Sequence, residues 1–181
     1  VNNTSILTNT SCKCKSKTSK YLAERFLFDK VVDTIVCLEG TQVIGAYLAE
    51  ELTRAGVLST NAHKTIYVIT PEYNSNSQMV FRENILPMVH GKNVVILTAV
   101  VTTGLSLNKS IEAIQYYGGK LQSAAAVFST LDELNGCPIT SIYSPEDVTD
   151  YLYYDYRKCP LCEKGIKLDA LVNAYGYTTL G

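Results

Sequence analysis

Two groups of residues in this chain have the types and spacing to do chemistry. The first is Thr102, Thr103, Gly104, Leu105 and Ser106, which packs three hydroxyls and a glycine into five residues between an apolar run and a helical pattern. A helix N-terminus presents amides with no intrahelical acceptor, together with a partial positive charge. Glycine lets the backbone come close to a bound group, and the hydroxyls of Thr102, Thr103 and Ser106 add donors, so the segment suits a phosphate. The same residues also fit a plain helix start, with Ser106 as the cap and Gly104 as the turn. The second group is made of thiols. Cys159-Pro-Leu-Cys162 has zinc-knuckle spacing, and with Cys12 and Cys14 it could complete a structural four-thiolate zinc site. A redox pair, or unliganded thiols at a tight turn, are the other readings of that spacing. Cys37 reads as a buried small hydrophobe, and Cys137, before Pro138, as a turn residue. His63 and His90 read as surface residues rather than bases.

Elements must hold these groups in place. Residues 20–30 read as a helix with Tyr21, Leu22, Ala23, Phe26 and Leu27 on its apolar face. Residues 34–38 are wholly apolar and β-rich apart from Thr34, as in a strand buried on both sides of a parallel sheet. Glu39, Gly40 and Thr41 follow, then a helical pattern over residues 43–52 closed at Gly56. Residues 65–70 predict a second strand, 71–78 a polar mobile loop, and 79–89 a weak helix. Residues 93–97 predict a third strand, 107–117 a helix stopped by Gly118 and Gly119, 121–129 a fourth strand and 139–143 a fifth. Such alternation is the sequence form of an α/β domain with a parallel sheet. Ligands of these sheets bind at the carboxyl ends of the strands, which points to the loops at 39–42, 71–78 and 98–106.

The chain has 181 residues, 46% hydrophobic and 18% charged, with a formal net charge of −1, so it is long enough for one domain with a core and is not disordered. No apolar run reaches the roughly 20 residues that span a bilayer. The first residues lack the basic-then-apolar form of a secretory leader, so a cytoplasmic location with no membrane is expected. No basic stripe suggests nucleic acid. Residues 1–20 carry Lys13, Lys15, Lys17 and Lys20 and no acid. The expected division is a polar basic tail over 1–19, an α/β core over 20–143 and a Tyr- and Cys-rich subdomain over 144–181. That subdomain packs on the core, hoods a site or forms an oligomer surface; the tyrosines of 151–156 suit packing, an interface or stacking on a base.

The stretch from Gly91 to Ser106, GKNVVILTAVVTTGLS, resembles the phosphoribosyl diphosphate signature of type I phosphoribosyltransferases. That signature is a strand of four hydrophobes, two acids, two hydrophobes and a Thr/Gly phosphate loop. The order of elements from Asp33 to about Tyr143 matches as well, and the orotate branch, including homologues ending in a CPxC segment, is the most similar. The resemblance implies a Rossmann-like parallel-sheet core that transfers ribose 5-phosphate from phosphoribosyl diphosphate to a nucleobase, an orotate-like pyrimidine. It implies magnesium on the diphosphate, a phosphorylated sugar or nucleotide as partner, and a homodimer. Thr102, Thr103, Gly104, Leu105 and Ser106 would hold the 5′-phosphate. Glu39, Gly40 and Thr41 would face pyrophosphate, with the flexible loop of 71–78 closing over it and Arg82 neutralising it. Two departures stand out. The acidic pair that faces the ribose falls on Thr98 and Ala99, neither of which carries a charge, and the flexible loop has no lysine. They keep open a non-catalytic binder or sensor of phosphoribosyl diphosphate or a nucleotide. An unrelated flavodoxin-like binder would instead carry its phosphate loop after the first strand, at 38–41.

Overall fold

The structure, a computed structural model, describes residues 12–26, 30–54, 60–62, 64–148, 151–154, 156–173 and 176–180. Its centre is a six-stranded sheet. β1 (Thr34–Cys37) is buried along its whole length, and β5 (Asn93–Val101) lies beside it as the longer central strand. With β2 (Tyr67–Ile69), β6 (Lys120–Ser129), β7 (Glu133–Leu134) and β8 (Cys137–Tyr143), the order is β2-β1-β5-β6-β8-β7. Every pairing is parallel except the β7–β8 hairpin. The parallel sheet expected from the alternation of elements is therefore the one observed.

Both faces of the sheet are covered, and the two-residue period of a strand sorts side chains between them. Val36, Val94, Ile96 and Ala124 pack toward α3 (Leu105–Tyr116), whose Leu107, Ile111 and Ile114 recur at helical spacing. Ile35, Cys37, Val95, Leu97 and Ala125 pack on the other side, against α1 (Cys12–Phe26) and α2 (Gln42–Arg54). Each fully buried side chain of this kind contributes roughly 1.5–3 kcal/mol. Gly45 lets α2 sit close on β1, since a methyl group there would lie 2.4 Å from Cys37 Sγ.

Several expectations are corrected. Residues 12–19, expected in a tail, form the first turns of α1. Lys15 and Ser19 are buried and extend the stripe of Leu22 and Ala23, and Ser19 Oγ lies 2.8 Å from the Lys15 carbonyl and 2.9 Å from that of Ile44. Residues 1–11, His63 and the Gly56 closure of α2 lie outside the described residues. The weak helix expected over 79–89 is instead β4 (Met79–Val80), paired antiparallel with β3 (Glu72–Tyr73), followed by a single 3₁₀ turn over Leu86–Met88. Met79 and Phe81 are buried two residues apart, the period of a strand, and Pro87 suits the start of a helical turn. Cys137 is not a turn residue: it opens β8, buried, just after the turn made by Asn135 (φ 51°) and Gly136 (φ 76°).

The last part of the chain holds a one-turn helix, α4 (Pro160–Glu163), and a hairpin of β9 (Ala170–Asn173) and β10 (Gly176–Thr179). Tyr151 packs edge-on against Phe128 near the carboxyl end of β6, with ring centroids 4.7 Å apart. No helix among the described residues is long and apolar enough to cross a membrane.

Candidate functional site

The carboxyl ends of β1 and β5 open into a cavity of about 250 Å³ lined by Leu38, Glu39, Thr98 and residues 100–107. One wall is the loop after β1. Glu39 (φ 52°) and Gly40 (φ 78°) are both left-handed, and the Thr41 amide donates to the Leu38 carbonyl at 3.1 Å to close the turn. The Thr41 hydroxyl, fully buried, lies 2.7 Å from the Leu38 carbonyl and 3.0 Å from that of Leu97, so it pins this loop to β5. Thr98 shares a face with Ile96 by strand alternation. Its hydroxyl makes a long contact with Glu39 Oε2 at 3.4 Å. Glu39 is open to solvent yet crowded by the walls of the cavity. Desolvation pushes its carboxyl above the usual range, and the Thr98 hydroxyl pulls it partly back. The charge of Glu39 in turn adds to the desolvation that raises Tyr73, on β3.

The other wall is the turn from β5 into α3. Gly104 is the N-cap of α3 with φ 75°, and its carbonyl accepts from the Asn108 amide at 2.8 Å. No side chain caps this helix, so Ser106 is not the cap and the amides of the first turn lack helical acceptors. A methyl group on Gly104 would lie 3.0 Å from Leu134 and 3.1 Å from Leu131. The turn is braced from behind: Thr130 donates its hydroxyl to the Thr102 carbonyl at 2.7 Å and its amide to that of Val101 at 3.1 Å. Thr102 is half-buried, whereas Thr103, Leu105 and Ser106 are exposed to solvent. A helix start with open amides, exposed hydroxyls and a glycine in a left-handed turn has the chemistry to hold an anion.

No family model matches the sequence, and no curated protein matches it. Solved structures match its fold. Orotate phosphoribosyltransferase of Mycobacterium tuberculosis H37Rv in complex with 5-phospho-alpha-D-ribosyl 1-diphosphate aligns with a TM-score of 0.54 at 15% identity, over 76% of this chain and 76% of that one. A hypoxanthine phosphoribosyltransferase from Staphylococcus aureus aligns at 0.53 with 13% identity, over 82% of this chain and 83% of that one. The UMP synthase of Leishmania donovani aligns at 0.53 with 15% identity, over 78% of this chain and 29% of that one. The chain has the type I phosphoribosyltransferase fold.

On this phosphoribosyltransferase fold, the residues singled out by sequence divide into two sets. Thr102, Thr103, Gly104, Leu105 and Ser106 meet Glu39 and Thr98 around one cavity. Gly40, Thr41, Ala99 and Arg82 do not line it. Thr41 is spent on backbone carbonyls. Ala99, one residue on from Thr98, is buried. Arg82 Nε and Nη2 donate to the two Glu72 oxygens at 2.5 and 2.8 Å, which holds the guanidinium at the β3–β4 hairpin. The loop of 71–78, expected to be mobile, belongs to that hairpin, where Asn74 Oδ1 accepts from the amides of Asn76 and Gln78 at 3.0 Å each. Among the described residues no basic side chain lines the cavity.

Two features escaped the sequence reading. One is the contact of Glu39 with Thr98, which joins residues 59 positions apart. The other is the brace from Thr130, whose only signal is a hydroxyl beside the end of a strand. For zinc, no group of three or more His, Cys, Asp and Glu among the described residues is arranged to hold a metal ion. The side chain of Cys12 lies outside the described residues, and Cys14 is exposed on α1. Cys159 is the N-cap of α4 and Cys162 lies within its single turn, the two thiols in hydrogen-bonding contact.

Proposed function

We propose that this chain transfers ribose 5-phosphate from phosphoribosyl diphosphate to a nucleobase, an orotate-like pyrimidine, with release of pyrophosphate. The observation that carries the reading is the uncapped start of α3 facing a cavity at the carboxyl ends of the strands. The amides after Gly104, with the hydroxyls of Thr103 and Ser106, would grip the 5′-phosphate. The ribose would then lie along Thr98 toward the Glu39 loop, and the diphosphate beside Gly40. Magnesium, when bound to the diphosphate, screens its charge and polarises the leaving group. Magnesium would keep most of its ligands on substrate and water, and the Glu39 carboxylate lining the cavity would supply its protein ligand. The working assembly on this reading is a homodimer, which sedimentation would measure.

A second reading has its own observation. Among the described residues no basic side chain lines the cavity, and Arg82 pairs with Glu72, so no described side chain faces a departing pyrophosphate with positive charge. That arrangement favours a binder of phosphoribosyl diphosphate or a nucleotide without turnover. Pyrophosphate release with orotate, uracil and hypoxanthine as acceptors separates the two. Release with one base supports the transferase. Saturable binding of phosphoribosyl diphosphate with no release from any base supports the binder.

A further inference from the structure

Away from the cavity, two nucleophilic side chains sit together among the described residues, Cys159 and Cys162. Cys159 is the N-cap of α4 with an extended backbone (φ −88°, ψ 110°), and its carbonyl accepts from the Glu163 amide at 3.1 Å. Pro160 opens the helix, where a missing N–H is not needed, and fixes the turn. Residues three apart on a helical turn share a face. The turn therefore brings the sulfurs together, with the amide and the thiol of Cys162 within hydrogen-bonding reach of the Cys159 sulfur. Cys162 is exposed and Cys159 half-buried, so a small molecule in solution can reach both. Cys37 and Cys137 are instead buried in strands, and Cys14 stands exposed on α1. A structural zinc ion takes four ligands. Among the described residues no third His, Cys, Asp or Glu joins this pair in an arrangement that would hold a metal ion. Charge around the pair is one-sided. Arg157, Lys158, Lys164 and Lys167 stand against the single acid Glu163 between residues 157 and 167, all of them exposed.

We propose that Cys159 and Cys162 are a dithiol site for thiol–disulfide exchange, closed to an intramolecular disulfide by a small anionic disulfide. The Cys159 thiolate attacks one sulfur of the small disulfide, whose S–S bond breaks as a mixed disulfide forms on Cys159 and one thiolate leaves. Cys162 gives its proton to water, and its thiolate attacks the Cys159 sulfur. The second thiolate then leaves and the bond between the two cysteines closes. The protein loses two electrons and the small disulfide gains them, while the two protons shed by the dithiol are taken up by the two released thiolates. Cys159 attacks first because the Cys162 amide and thiol stabilise its charge and hold it below the ordinary thiol range. The surrounding positive charge raises the local concentration of an anionic disulfide.

The test takes the reduced full chain, with and without EDTA, and uses oxidised glutathione as the anionic probe. Trypsin releases residues 159–164 as one peptide that holds both of these thiols and no other cysteine, so peptide mass spectrometry reads the result. In the wild type this peptide should lose two hydrogens and keep no glutathione. Cys162→Ser should stop at the mixed disulfide on Cys159, and Cys159→Ser should form its adduct on Cys162 several-fold more slowly. Raising the salt from about 0.02 M to about 0.5 M should slow the reaction of the wild type with oxidised glutathione and speed that with cystamine, a cationic disulfide. Two stable adducts on one wild-type peptide, or equal rates in the two variants, would overturn the dithiol site. Thiols that react only after EDTA has stripped zinc from the protein would overturn it as well, since the pair would then be a metal site. A glutathione rate indifferent to salt would overturn the choice of an anionic partner.

Discussion

Cys37 lies in β1 under α2, where burial pushes its thiol up to about 12 although the nearby Thr41 hydroxyl pulls it partly back. Cys159 lies at the start of α4, where the amide of Cys162, and then the Cys162 thiol, hold it below its ordinary value. Cys162 moves the other way, raised by the same hydrogen bond and by the charge of Cys159. The thiolate is the nucleophile, so these settings order the reactivity of the three. With limiting iodoacetamide near neutral pH, Cys159 should be carbamidomethylated several-fold faster than Cys162, and Cys37 should stay unmodified until the protein unfolds. Peptide mass spectrometry reads the order. Equal rates at 159 and 162, or early labelling of 37, would show that these environments do not persist in solution. The spacing of the cysteines was plain in the sequence, but their reactivity was not, because it depends on which amide points at which sulfur.

Elements were legible where their pattern was local. The buried strands at 34–38 and 93–97 and the helix ending at Gly118 stood out because apolar runs and glycines mark them. The hairpin of β7 and β8 was missed although Asn135-Gly136 is a strong local sign of a two-residue turn; its strand β7 is only two residues long and offers no alternation to read. The early start of α1 was hidden because Lys15 and Ser19 occupy core-facing positions that usually hold apolar residues. The turn into α3 depends on Gly104, so Gly104→Ala should cost about 1–2 kcal/mol, from the positive φ and from the methyl group pressed on Leu131 and Leu134. Urea denaturation would measure it, and a neutral result would mean that the turn has another conformation. At the amino ends of the strands, Asp33 Oδ2 accepts from the Asn93 amide at 2.9 Å and from its side chain at 2.6 Å. Burial raises the Asp33 carboxyl, but these bonds, with the charges of Lys64 and Lys92, outweigh it and hold the carboxyl below its ordinary 3.8. A group lowered by folding stabilises fully above its unfolded value, and its contribution fades as pH falls through the folded one. Asp33→Asn should therefore lose about 0.5–1 kcal/mol near neutral pH, since solvent screens a partly exposed site. The gap to wild type should shrink as pH drops below about 4. A gap that is constant with pH would remove the charge from the explanation.

At the scale of the molecule, the sheet, the cradle and the Glu39 loop form one connected body. The hydroxyl of Thr41 ties the loop after β1 to the Leu97 carbonyl of β5, and Thr130 ties the turn after β5 to the end of β6. A ligand that grips the cradle is thereby linked to folding of the whole sheet. The sequence marked the hydroxyl- and glycine-rich turn at 102–106 but not this linkage, which arises only when strand order brings residues 41, 97, 102 and 130 together at the carboxyl ends of β1, β5 and β6. Binding to the folded state alone adds about 2.7 kcal/mol at a ligand concentration of 100 times Kd. For a chain of this length each kcal/mol moves the melting midpoint by roughly 2–4 °C, so ribose 5-phosphate at that concentration should raise it by roughly 5–10 °C. Gly104→Ala, compared at the same concentration, should show a clearly smaller rise, because the turn that presents the amides is altered. Scanning calorimetry with and without ligand makes the comparison. The same rise in wild type and variant would place the sugar phosphate elsewhere on the protein, and no rise in either would remove the start of α3 as its site.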